Sequence, residues 1–225
     1  MKSRLSVMFI VLSTIIVTVG CSSSSTPTAQ GIPKSAEMRP SDFNPAVMVY
    51  RNPDVDIRQY TRVMLTPVEI YKGEDASFKD ATPQEQQDLA NYLYSTVTKT
   101  LNEKGLLAAG PGPGVATLKL ILAGVEKTRP VASTVTHVLP IGLALNLGKG
   151  ALGKNGSFMG TATVGCELTD ATTGTLIATF LAKEAPNAMD LPVVISTWDA
   201  SKKAMDKVAA EIANRVEQAQ SGKKQ

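Results

Sequence analysis

The sequence predicts an α+β domain: a mixed or antiparallel sheet of about four or more strands with two helices packed on one face, in the order β-α-β-(apolar insert)-β-β-α. Three observations lead there. Residues 160–169 alternate apolar and polar with period two, and residues 83–104 and those after Thr197 repeat apolar positions every three or four residues. Each helical segment also has a single apolar stripe, which a shared sheet face can bury.

The elements follow in chain order. Residues 62–71 (RVMLTPVEIY) are rich in β-branched and long apolar side chains and form the first expected strand, with Pro67 demanding an edge position or a bulge. Thr82-Pro83-Gln84-Glu85 is a helix start: the Thr82 hydroxyl caps, Pro83 takes the first turn and Glu85 completes a capping box. Leu89, Tyr92, Leu93, Thr96, Val97 and Leu101 make that helix's stripe, and Gly105 supplies its left-handed stop. After the rigid connector at residues 110–114, residues 117–125 place Leu118, Leu120 and Leu122 on one strand face. Ala162, Val164, Cys166 and Leu168 then share a face, and Asp170-Ala171-Thr172-Thr173-Gly174 turns the chain into a second apolar strand at 176–182, giving a hairpin. The last helix begins near Ser196 or Thr197 with Asp199 available to cap, and buries Met205, Val208, Ala209, Ile212 and Val216.

The N-terminus carries a different message. Lys2 and Arg4 precede an uncharged apolar run, residues 5–20, too short and wrongly flanked for a membrane-spanning helix. Thr18-Val19-Gly20-Cys21 approximates a lipobox with Thr18 in place of the usual Leu, so residues 1–20 are expected to be a lipoprotein signal peptide and Cys21 the site of acylation, palmitate included. An ordinary signal peptide is the alternative. Ser22 rather than Asp follows the cysteine, which favours sorting to the periplasmic face of the outer membrane. The Ser-, Thr-, Pro- and Gly-rich residues 21–45 read as a flexible tether spanning roughly 25–30 Å. Residues 46–220 are then one periplasmic domain, folded from near Tyr50, and residues 221–225 a disordered tail.

Removal of Lys2 and Arg4 leaves 21 basic residues against 20 acidic ones, a net charge of +1, which excludes nucleic acid as an expected partner. Acylation of Cys21 leaves Cys166 as a lone thiol, read as a small buried apolar residue, so no internal disulfide is expected. Residues 148–155 have the glycine and lysine spacing of a phosphate-binding loop, but Asn155 stands where Ser or Thr must ligate magnesium and no helix begins there, so no nucleotide is expected. His137 is the only histidine, which removes any His-pair metal site and leaves a hydrolase as the remotest reading; no cofactor and no metal are expected. Asp54, Asp56, Glu69, Glu74, Asp75, Asp170, Glu184 and Asp199 show no spacing that fixes an acid–base pair and are read as solvated turns and caps. Trp198 is read as a staple against the sheet, with ligand stacking as the alternative.

Residues 131–157 contain no acidic residue and many apolar ones, with Leu139, Ile141, Leu143, Leu145 and Leu147 as a candidate interaction surface. Contact with a bilayer, a groove or a neighbouring subunit competes with packing over the domain's own sheet.

Four stretches carry a resemblance: residues 50–53 with Tyr60 leading into 63–68, the glycine-rich approach to Gly160, the hairpin from Glu167 to Gly174, and Trp198-Asp199-Ala200. In these the domain resembles the Gram-negative lipoproteins grouped as domain-of-unknown-function family 3313. The resemblance brings no catalytic or ligand residue with it. More loosely, the architecture is similar to lipoproteins of the curli-secretion and transport-auxiliary kinds, which work as assembly parts. The resulting expectation is a non-catalytic binding or assembly domain, held to the bilayer by N-terminal acylation and meeting an envelope protein or another copy of itself. The alternative is a small-ligand or lipid carrier with residues 131–157 as its lid.

Overall fold

The computed structural model describes residues 29–42, 44, 47–78, 81–127, 160–185 and 198–221. At its centre lies β5 (Val115–Val125), an almost unbroken apolar run whose residues are nearly all buried, as a strand covered on both faces requires. Leu118, Leu120 and Leu122 face the helices, while Ile121 and Ala123 belong to a second cluster on the opposite face.

The hairpin forms as expected from β6 (Ala162–Asp170) and β7 (Leu176–Glu184), with β6 antiparallel to β5. Its turn is held by Asp170, whose Oδ1 accepts the backbone N–H of Thr172 at 2.8 Å and of Thr173 at 2.7 Å. Gly174 takes φ 72°, a conformation that a side chain would strain. The free edge of β7 pairs antiparallel with β2 (Val47–Arg51), and β2 with the two-residue β1 (Arg39–Pro40). The expected strand at 62–71 is two pieces, β3 (Arg62–Leu65) and β4 (Glu69–Ile70), both parallel to β5. Pro67 lies in the gap between them, where no ladder donor is needed. The result is a mixed seven-stranded sheet in the order β1-β2-β7-β6-β5-β3, with β4 also on β5.

Helix α1 (Pro83–Glu103) has both halves of its capping box: Thr82 Oγ1 accepts the Glu85 N–H at 3.2 Å, and Glu85 Oε2 accepts the Thr82 N–H at 2.8 Å. Its buried stripe is Leu89, Ala90, Leu93, Val97 and Leu101, and Gly105 at φ 67° follows its end. Full burial of each leucine contributes about 1.5–3 kcal/mol relative to exposure. Helix α2 (Asp199–Gln220) packs beside α1 on the same sheet face. Asp199 does not occupy the cap position: Trp198 does, without a side-chain bond to the helix's own first turn, and Asp199 sits in that turn, where a carboxylate still favours the positive end of the helix. Ser201 Oγ, fully buried, lies 3.0 Å from the Glu126 carbonyl and 3.2 Å from that of Thr161, tying α2 to the ends of β5 and β6.

The flexible tether expected over 21–45 does not hold for residues 29–42. Residues 29–42 form a strap across the back face of the sheet, with Ala29, Ile32 and Met38 buried against Ile121, Ala123 and Leu181. Ile32 fits over Gly165, where an added Cβ would stand 2.2 Å from Ile32 Cδ1. The Tyr71 hydroxyl accepts the Gly31 N–H at 3.0 Å and donates to Asp75 Oδ1 at 2.7 Å, while Asp75 Oδ2 accepts the Gln30 N–H at 3.0 Å. Three apolar anchors and a few backbone bonds offset the ordering entropy that a Ser- and Pro-rich composition cannot offset locally.

Candidate functional site

Strands lie ~4.8 Å apart and helices pack ~10 Å apart, so two helices cannot roof a sheet of this width. α1 covers the β5 side and α2 the β6 and β7 side, which leaves β2 beyond the edge of α2. There a cleft of about 160 Å³ opens between α2 and the sheet. Its floor includes Val49 of β2, Phe180 and Ala182 of β7, and Val164 and Cys166 of β6. Its roof is Val208, Ile212 and Val216, one face of α2 at four-residue spacing. The predicted α2 stripe therefore divides: Met205 and Ala209 are fully buried, whereas Ile212 and Val216 are half-buried along the cleft.

The two ends of the cleft differ in charge. At one, Glu184 Oε2 accepts from Lys207 Nζ at 2.6 Å and Glu184 Oε1 from Asn44 Nδ2 at 3.4 Å. Glu184 is thus a buried, paired carboxylate and not the solvated turn residue its sequence context implied. At the other end Arg51 and Arg215 both line the opening, with Glu211 Oε1 accepting from Arg215 Nε at 2.7 Å. The Arg51 guanidinium pKa is lowered, by desolvation first and by the neighbouring Arg215 charge second, against a smaller opposing effect of Asp42. Cys166 on the floor is buried, and burial pushes its thiol pKa up, which makes it a packing residue rather than a nucleophile.

A second, shallower depression lies where α1 begins. Trp198 docks there, partly buried against the main core, and is tied to the start of α1: its Nε1 donates to Glu85 Oε1 at 2.9 Å, and Lys127 Nζ lies 5.1 Å from its ring centroid. The Thr82 backbone N–H, aided by the Trp198 indole, holds the Glu85 carboxyl down at about 2. A carboxylate so stabilised is a structural clamp and a poor base. The remaining acids serve local structure: Asp56 binds Arg58, Glu69 pairs with Lys119 at 2.8 Å, and Asp170 Oδ2 accepts from the buried Tyr60 hydroxyl at 2.8 Å. Among the described residues no three His, Cys, Asp or Glu side chains gather as a metal site. Cys21, His137, Leu139, Ile141, Leu143, Leu145, Leu147 and residues 148–155 lie outside the described residues. The cleft was not legible as a site in the sequence, since none of its residues forms a motif.

The family model described as "Protein of unknown function (DUF3313)" matches residues 28–212. The chain belongs to this family. The matched span begins just before the strap and ends at Ile212, so it takes in the back-face anchors, α1 and the first part of α2, and leaves Arg215, Val216 and Ala219 of the cleft outside it. No curated protein matches the chain. Among solved structures, the hypothetical protein CT253 from Chlamydia trachomatis is similar at 11% identity and a TM-score of 0.40, over 72% of this chain and 99% of that one. A PelC dodecamer from Paraburkholderia phytofirmans is similar at 11% identity and a TM-score of 0.38, over 72% and 93% of the two chains. Protein XCC0632 from Xanthomonas campestris, of family DUF330, is similar at 12% identity and a TM-score of 0.35, over 76% and 92%.

Proposed function

We propose that this protein is a lipoprotein of the bacterial envelope, anchored through Cys21 to the periplasmic face of the outer membrane, whose domain binds an apolar ligand and transforms nothing. The observation that carries the binding reading is the cleft: an apolar hollow whose only charges sit at its two ends is a common form of small-molecule site. The lipobox-like residues 18–21 carry the anchor, and no helix among the described residues is long and apolar enough to cross a membrane. With the strap seated on the sheet, residues 22–28 are all that separate Cys21 from packed structure, at most roughly 25 Å when fully extended. The domain in this reading stays close to the bilayer, and its cleft opens within reach of lipid.

A role built on sheet-edge assembly has less support from the same geometry. One edge is the two-residue β1 ending in Pro40; β3 at the other is already joined by residues 106–108, with the Val63 N–H bonded to the Leu106 carbonyl at 2.9 Å.

Two measurements test the proposal. Fatty-acid labelling of cells is expected to mark the wild type and not Cys21→Ser, and label retained by the variant overturns the anchor. Native mass spectrometry of the lipidated protein is expected to show a bound apolar molecule that Ala182→Trp, which fills the cleft floor, no longer carries. A wild type without ligand, or a variant that keeps it, overturns the binding reading.

A further inference from the structure

Resting on that cleft reading, we infer that the ligand is a single-chain acyl carboxylate of medium length, its head at Arg51 and its tail between β2 and α2. The argument starts from alternation. Val47, Val49 and Arg51 are two apart on β2, so all three point to the helix face, and the row passes from two apolar side chains to a guanidinium. On α2 the row Val208 and Ile212 reaches Arg215 at the same end. A strand and a helix thus each deliver apolar side chains followed by an arginine to one hollow.

Charge separates the ends. At the Glu184 end the only cation, Lys207, is already neutralised by Glu184, whose carboxylate also holds Asn44 and repels an anionic head group. At the Arg end, Glu211 pairs with Arg215, and Asp42 acts on Arg51 less strongly than Arg215 does. Asp42 acts on Arg51 through its charge alone, and the exposed Arg51 side chain carries the planar donor fork that suits a carboxylate. An anion placed there offsets the repulsion between the two arginines.

Size fixes the tail. A hollow of about 160 Å³ is close to one that encloses a six-carbon ring, so it holds one acyl chain and not the two of a phospholipid. From Val47 to Arg51 the strand runs roughly 13 Å, which sets the length of chain that lies under cover before the Lys207–Glu184 pair stops it.

The test uses the full-length lipidated protein in lipid nanodiscs with three diazirine-bearing probes: a medium-chain fatty acid, its methyl ester, and a diacyl phospholipid. Peptides containing residues 47–51 or 208–216 are expected to be labelled by the acid about tenfold more than by the ester. Arg51→Gln is expected to bring the acid down to the ester's level without changing the ester, and Ala182→Trp to abolish both. Val49→Phe, a milder block, and a thermal melt of each variant guard against loss of fold. Equal labelling by acid and ester, both lost when the floor is blocked, overturns the carboxylate inference and leaves the cleft reading standing, as does preferential labelling by the phospholipid. Label at these peptides that survives both blocking variants in folded protein overturns the cleft reading itself.

Discussion

The two faces of the sheet bury apolar surface by opposite means. On the helix face, α1 and α2 lay continuous stripes of leucine, valine, methionine and alanine across β5, β6 and β7. On the back face a strap with almost no regular structure reaches the sheet at three points, Ala29, Ile32 and Met38. Stripes share their burden among many residues in one cooperative unit, whereas point anchors act singly and make a segment that opens on its own. The helix face should therefore set the stability of the domain, and the back face only the attachment of the strap.

The sharpest way to break that contrast is at Leu93, which has no exposed surface and sits in the middle of the α1 stripe. Leu93→Ala is expected to cost about 2–5 kcal/mol, read from chemical denaturation of the whole domain. An effect under 1 kcal/mol would mean that the helix face is not the unit of stability.

On the other face, Gly165→Val drives a side chain into the space of Ile32 Cδ1. The expected cost is about 1–3 kcal/mol and local. Hydrogen exchange should accelerate over residues 29–40 and stay unchanged in α1; equal acceleration in both would show the strap to be part of the main cooperative unit. A smaller change, Tyr71→Phe, removes the hydroxyl that links Gly31 and Asp75 and should loosen the same residues by about 1 kcal/mol. Exchange over 29–40 that matches wild type would assign the strap's hold to its apolar anchors Ala29, Ile32 and Met38 rather than to the Tyr71 hydroxyl.

The smallest effect belongs to the helix face and depends on pH. Glu85 is held at about 2 in the fold against an ordinary value of 4.5, because the Thr82 N–H and then the Trp198 indole stabilise its charged form. A depressed carboxyl contributes its stability in full above its unfolded value and loses it as pH falls through the folded one. Trp198 is the only tryptophan, so its emission reports the clamp. In the folded protein the emission is expected to hold steady to below pH 4 and to change only on approach to 2, and a midpoint near 4.5 would show that the Glu85–Trp198 contact does not form in solution.

What was readable from sequence follows the same division. The capping box, the helix stop at Gly105 and the Asp170-to-Gly174 turn lie within a few neighbouring residues, and each appears where expected because its bonds close inside that short span. The alternation of β6 survives because Ala162, Val164, Cys166 and Leu168 all enter the helix-face core, while the buried back face takes Thr163 and the glycine on which Ile32 sits. The strap escaped because its composition reads as a tether, and its seat is built from Gly165, Tyr71 and Asp75, far along the chain. β2 escaped with it, since Val47–Arg51 is short and its partner β7 lies at the other end of the sequence.

By itself the sequence determined the fold class, both helices and the hairpin, all of which depend on local bonding or on periodic burial against the helix-face core. Only the tertiary structure decided that the back face is strapped, that Trp198 clamps α1, and that Arg51 and Arg215 meet at one end of an apolar cleft. The physical reason is width: two helices are too narrow for the sheet that β1 and β2 extend, and no local pattern records where their cover runs out.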